Sequence, residues 1–307
     1  MRRDVNRYIR FDWAMKRMLR DKANYKVLEG LLTSLLGKEI RIKALLESES
    51  NRQYDENKQN RVDILAENRE GEKILIEIQN ETEDSYFHRM LFGTSRLVSE
   101  YLRKGQDYGK TVKVYSVNIV YFDLGVGDDD VYVGTTEFRG LHTGTLLELP
   151  KSWAEKYNAS KVHDIFPEYY VLRVNNFDRW SRTPLDQWMY FLSTGTIPDD
   201  ATAPGLDTAR ELMRVDSLSP AQRNDYYAYL DSMVSARSMM ETAHNEGLWE
   251  GKLIGREEGM QIGIELGMEK LRTEMAVKLK KAGVAFTTIA EATGLSTEEI
   301  ERLNIND

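Results

Sequence analysis

The chain has 307 residues, 41% hydrophobic and 30% charged, with a formal net charge of -8 at pH 7. That balance belongs to a soluble globular protein with one sizeable core and an appendage, and it argues against a protein that coats nucleic acid non-specifically. Cysteine is absent, which excludes a disulfide framework, a thiolate zinc site and a cysteine nucleophile. No apolar run approaches a membrane span, and the charged start Met-Arg-Arg-Asp-Val-Asn-Arg lacks the apolar stretch of a signal peptide. A cytoplasmic protein with no membrane partner is expected.

The charge is uneven. Residues 1–26 hold nine Lys or Arg against three Asp, whereas residues 241–307 hold eight basic against thirteen acidic side chains. If DNA docks, the N-terminal arm and first helix, with Arg7 and Arg10, are expected to help carry it. Phe11, Met15, Met18 and Leu19, then Val27, Leu28, Leu31, Leu32, Leu35 and Leu36, recur at helical spacing and predict helices over Phe11–Leu19 and Tyr25–Leu36, the second ended by Gly37. Asp12 and Lys16 lie four apart on the first helix, where an ordinary ion pair is the plain explanation. A possible strand begins at Ile40, and the polar run Ser48–Asn60 reads as a surface loop just ahead of Asp63.

Arg61–Gln79 reads as two short strands around a turn at Asn68-Arg-Glu-Gly71. Ile74, Ile76 and Ile78 alternate with Leu75, Glu77 and Gln79, so one face is expected in a core and Glu77 and Gln79 share the other. A hairpin centred near Glu70 sets Asp63 across from Glu77, and directly opposed residues have Cβ atoms roughly 5 Å apart. Two carboxylates at that distance repel. A divalent cation of the Mg²⁺ or Mn²⁺ kind would relieve them, and phosphodiester hydrolysis is the matching chemistry. A solvated acidic sheet face is the alternative.

Ser85–Arg103 predicts a helix bearing Phe87, Met90, Leu91, Thr94, Leu97, Val98, Tyr101 and Leu102, with Arg89 and Arg96 seven apart on one face, toward phosphate or toward water. His88 reads as surface. Val112–Phe122 is a near-continuous apolar run, the pattern of a central strand covered on both faces. Val131–Phe138 and Gly144–Leu149 read as a hairpin, Val162–Val174 as an extended segment broken by Pro167, and Pro184–Phe191 as a helix with Pro in its first turn.

Composition shifts at Gly195–Gly205, taken as a linker between a 1–194 domain and a helical 206–307 region. There, Gly247, Gly251, Gly255, Gly259, Gly263 and Gly267 fall every fourth residue, and a close-packed helix pair, most simply a homodimer through these C-terminal helices, is expected; a flexible linker is the alternative. The end, Phe286–Leu303, reads as helix, turn, helix with a Ser296/Glu299 capping box. Its second helix carries Glu298, Glu299 and Glu301 with only Arg302 basic, poor material for a major groove.

Asp63, a short gap, then Glu77-Ile-Gln79 resembles the metal-binding core of PD-(D/E)XK nucleases in the variant with Gln for the final Lys. Phe11-Asp-Trp-Ala-Met-Lys16, Glu77-Ile-Gln-Asn80, Phe87-His-Arg-Met90 and Thr94-Ser-Arg96 together are similar to the Rpn family of recombination-promoting nucleases and putative transposases. The resemblance implies an α/β fold, a mixed sheet flanked by helices, followed here by the all-helical C-terminal region. It implies a Mg²⁺- or Mn²⁺-dependent DNA endonuclease, the metal held by Asp63, Glu77 and the Ile78 carbonyl. Gln79 would orient water or phosphate, Lys16 would supply the missing charge and Asp12 an added ligand or base; Met15 stands where the family has Phe. Arg7, Arg10, Arg89 and Arg96 are the DNA-contacting candidates. The alternative is the same fold with a silent site, acting as a DNA-binding or oligomerisation module.

Overall fold

The computed structural model describes residues 8–17, 19, 21–46, 64–101, 109, 111–157, 159, 161–175, 177 and 183–304. Helix α1 is Phe11–Arg17 and α2 is Tyr25–Leu36. α2 buries Val27, Leu28, Leu31, Leu32 and Leu35 on one stripe and stops at Gly37, whose φ of 65° is a left-handed conformation that glycine adopts without strain.

Strands β1 (Ile42–Leu46), β2 (Ile64–Asn68) and β3 (Lys73–Gln79) run antiparallel in turn. Asn68 closes the tight turn between β2 and β3 by accepting from Glu72 N at 2.9 Å. The register pairs Ile64 with Ile76 and Leu65 with Leu75, as the hairpin pattern required. Helix α3 (Tyr86–Tyr101) then crosses to β4 (Val114–Val120), parallel to β3. A short helix α4 (Lys151–Tyr157) precedes β6 (Glu168–Arg173), parallel to β4, and β5 (Val131–Gly134) closes the edge, giving the order β1-β2-β3-β4-β6-β5.

Two sequence expectations change within the sheet. The hairpin foreseen between 131–138 and 144–149 is reduced to one bridge, Arg139 with Leu146, while β5 pairs antiparallel with β6. Leu146 and Leu147 are exposed and offer no buried face, whereas β6 brings buried Tyr170, Val171 and Leu172. β3, expected to keep one face open, is covered on both. Leu75 packs with Leu65, Val114 and Leu97 of α3, while Ile74, Ile76 and Ile78 are buried on the other face.

Helix α5 (Pro184–Thr194) starts on Pro at its first turn behind the N-cap Thr183, and its Trp188 and Phe191 meet Phe11 edge-on. The segment 195–205, expected as a linker, is docked instead. Gln187 Oε1 accepts from Thr202 N (2.8 Å) and Ala203 N (2.7 Å), and Trp188 Nε1 donates to Pro204 O at 3.1 Å. Gly30 of α2 faces this segment so closely that a Cβ there would lie 2.1 Å from Pro204 O. The short α6 (Leu206–Leu212) follows.

By contacts the chain divides later, into 1–229 and 230–307. Helix α7 is Pro220–Lys281, α8 is Phe286–Thr293 and α9 is Thr297–Arg302. In the second unit Ala276, Ile289 and Ile300 form a small core with Leu279, Val284 and Leu295. The Ser296/Glu299 capping box forms, and Lys280 Nζ donates to the carbonyls of Ile300, Glu301 and Leu303 at the end of α9. The six spaced glycines all lie in α7, where a Cβ on any of them would meet nothing within 4 Å. No helix among the described residues is long and apolar enough to cross a membrane.

Candidate active site

Glu77 projects from β3 beneath α3 and is only 7% exposed. The helix passes over the acid at Gly93, where a Cβ would make ordinary contact, 3.8 Å from Leu75 Cδ2 and 3.9 Å from Glu77 Oε1. One turn earlier, Arg89 places Nε 3.6 Å from Glu77 Oε2 and Nη1 3.0 Å from Glu83 Oε2. Burial disfavours the Arg89 charge, but Glu77 and Glu83 outweigh it and hold the guanidinium above its ordinary pKa. Gln79, half-buried two residues on from Glu77, donates its amide to Glu81 O at 3.2 Å.

Directly across the ladder from Glu77 lies Asn118 of β4, which the apolar reading of that strand passed over. Asn118 is buried, donates to Ser116 Oγ at 3.0 Å and to Tyr170 O at 3.3 Å, and accepts from the Tyr86 hydroxyl at 3.3 Å. Ser116 and Asn118 fall two apart in an otherwise apolar run, and that alternation was the signal for a polar row under α3.

A second cluster gathers beyond the carboxyl ends of β3 and β4. Asp12 is 1% exposed. It accepts from Arg10 Nε (3.2 Å) and Nη2 (3.1 Å), from its neighbour Trp13 N (2.8 Å) and from the Tyr229 hydroxyl. Arg10 also donates to Asn80 Oδ1 at 3.3 Å and stacks 4.7 Å over the Tyr121 ring. Burial alone would raise the Asp12 carboxyl, yet Arg10 and the donated hydrogen bonds hold it below the ordinary carboxylate value. Asp12 thus takes Arg10, at i-2, as its ion-pair partner among the described residues.

Of the residues singled out in the sequence, Glu77, Gln79 and Ile78 lie together at the end of β3, with Arg89 against Glu77. Arg10 and Asp12 pair with each other just beyond that end, through Asn80. Arg96 is half-buried two turns after Arg89 and forms no ion pair among the described residues. Asp63, Arg7 and the Lys16 side chain lie outside the described residues. His88 is exposed, as expected. Elsewhere, His163, Asp164 and Glu168 come within ligand range of one another, but Lys113 Nζ already donates to Glu168 Oε1 at 2.7 Å and to the carbonyls of His163 and Phe166. That group sits at the start of β6, whereas Glu77 and Gln79 occupy the far half of β3.

A mixed sheet with a parallel centre, a hairpin-borne Glu-x-Gln at the end of a central strand and a crossover helix laid over the acid define a nuclease-like α/β core. The chain matches the model of the PD-(D/E)XK nuclease family transposases over residues 9–243 and belongs to that family. The resemblance carried by Phe11–Lys16, Glu77–Asn80 and the α3 residues points to the same assignment. No significant match to a curated protein or to a solved structure was found.

Proposed function

We propose that this protein is a Mg²⁺- or Mn²⁺-dependent DNA endonuclease that hydrolyses phosphodiester bonds in recombination or in the movement of mobile elements. The observation that carries this reading is the placement of Glu77: a carboxylate held beneath α3 beside a fixed guanidinium, at the end of a central strand. The described part of the hairpin pairs Ile64 with Ile76, and the hairpin pattern read from the sequence supports Asp63 as the second carboxylate of the site. The donors proposed, two carboxylates, the Ile78 carbonyl and waters, are hard oxygens with no thiolate or imidazole among them, and so fit Mg²⁺ or Mn²⁺. When bound, such an ion lowers the pKa of a water and neutralises charge on the scissile phosphate.

The chain's own groups supply the rest. Gln79 orients water or phosphate through its amide and carries no charge. Asp12, whose two oxygens accept from four donor groups on Arg10, Trp13 and Tyr229, acts by fixing Arg10 and remains available as a ligand or base only if those bonds rearrange. Arg10, 24% exposed, with Arg96 and the basic N-terminal segment that includes Arg7 and Lys16, contacts the DNA backbone. The open glycine ladder of α7 supports self-association of two chains through their C-terminal helices.

The test is purified protein on supercoiled plasmid. Nicking or linearisation is expected with Mg²⁺ or Mn²⁺, not with chelator, and is expected to be lost in Asp63→Ala and in Glu77→Ala. Activity surviving both substitutions overturns the reading. A second reading, a silent site on a DNA-binding or oligomerisation module, is favoured by the uncharged Gln79; metal-independent plasmid retardation without cleavage would support it.

A further inference from the structure

We infer that Arg89 is the catalytic cation of the site: its guanidinium, carried by α3, contacts the scissile phosphate and supplies the charge that Gln79 does not. This rests on the metal-dependent nuclease reading above. Among the described residues, Arg89 is the cation in ion contact with Glu77, at 3.6 Å. The other nearby guanidinium, Arg10, donates two of its nitrogens to Asp12, in the cluster beyond the strand ends rather than against Glu77. Lys73 is engaged with Glu67, Lys113 with Glu168 and Lys38 with Glu72, all toward the opposite end of the parallel strands.

Three features suit Arg89 to a phosphate. It is 19% exposed, sheltered enough to be fixed and open enough to be reached. Its Nη1 is anchored on Glu83 at 3.0 Å, which holds the side chain in place whatever Glu77 binds. Its buried Nε–H lies 3.6 Å from Glu77 Oε2 and donates no hydrogen bond among the described residues, so the guanidinium is not locked onto Glu77 by a hydrogen bond. A Glu77 carboxylate that shares its charge with a divalent ion attracts Arg89 less, and the anion next in line is the phosphate that the same ion binds. A guanidinium that served only to neutralise Glu77 in the fold would have no such partner and no link to Gln79.

The experiment compares wild type, Arg89→Ala, Arg89→Lys, Gln79→Lys and the Arg89→Ala/Gln79→Lys double variant. Two readouts are taken: Mn²⁺ affinity by calorimetry without DNA, and Mn²⁺-dependent cleavage of supercoiled plasmid. Removing a positive charge from beside Glu77 should tighten Mn²⁺ binding about tenfold, while losing a phosphate donor should slow cleavage about 100-fold. Gln79→Lys should restore most of that loss in the Arg89→Ala background. Arg89→Lys, which keeps charge and stem, should retain wild-type Mn²⁺ affinity and an intermediate rate, and reads the same question if the alanine variant does not fold. Cleavage by Arg89→Ala at the wild-type rate, or a loss that Gln79→Lys does not restore, overturns the inference while leaving the nuclease reading intact. A wild-type protein that neither binds Mn²⁺ nor cleaves overturns both.

Discussion

Tyr229, in the third turn of α7, donates its hydroxyl to the carboxylate of Asp12 in α1, 217 residues earlier in the chain. Burial, then Asp12 itself, pushes the Tyr229 phenol above its ordinary pKa, so at neutral pH it is a donor to an anion. A hydrogen bond to a charged group contributes about 1.5–3 kcal/mol. Tyr229→Phe should therefore lower the unfolding free energy of the full chain by an amount in that range, measured with urea at pH 7. A loss below about 0.5 kcal/mol, the level of an ordinary surface substitution, would show that the contact does not stabilise the fold.

Asp12 sets the pH dependence of this cluster. Its folded pKa lies below the ordinary 3.8, so its contribution is complete above that value and is lost as pH falls through the depressed folded value. Asp12→Asn should cost about 2 kcal/mol at pH 7, a figure below that of a fully buried pair because Arg10 is partly exposed. The gap between wild type and variant should narrow in denaturation curves taken below a pH of about 3.8. A gap of constant size down to pH 2 would mean that Asp12 is not held as an anion by Arg10.

Gly30 tests the docking of 195–205. A Cβ at Gly30 would fall 2.1 Å from Pro204 O, a backbone atom pinned by the Trp188 hydrogen bond. Gly30→Ala should destabilise the protein by at least about 2 kcal/mol, the scale of an overpacked core, and should expose 195–205 to limited proteolysis. An unchanged midpoint and cleavage pattern would mean that the segment is not seated on α2.

The glycine ladder gives the opposite sign within one chain. Each glycine inside an exposed helix costs about 1 kcal/mol relative to alanine, and nothing lies within 4 Å of a Cβ at Gly255 or Gly259. Gly255→Leu with Gly259→Leu should raise helicity by circular dichroism and, if two chains pack along the ladder, convert dimer to monomer in sedimentation. Each four-residue step advances about 40°, so the partners should cross right-handedly. A dimer unaffected by both substitutions would refute the packing role.

The sequence by itself determined the elements whose cause is local. Tyr25–Leu36 with its Gly37 stop, the β2–β3 hairpin register, Pro184 at a helix start and the Ser296/Glu299 box were all readable, because periodicity, turn chemistry and capping depend on residues a few positions apart. The Glu77-Ile-Gln79 strand end was readable for the same reason, and the family likeness gave it a chemistry. Tertiary structure alone decided what stands against it. Arg89 and Glu77 meet because α3 folds back over β3 at Gly93; Asp12 takes Arg10 and Tyr229 because α7 returns to α1; and 195–205 docks because Gly30 leaves it room. Period-two and period-3.6 patterns say which face of an element is apolar, but two apolar faces pair by shape and by the burial they gain together. β5 therefore found β6 rather than 144–149, and an expected open face of β3 became the buried floor beneath α3.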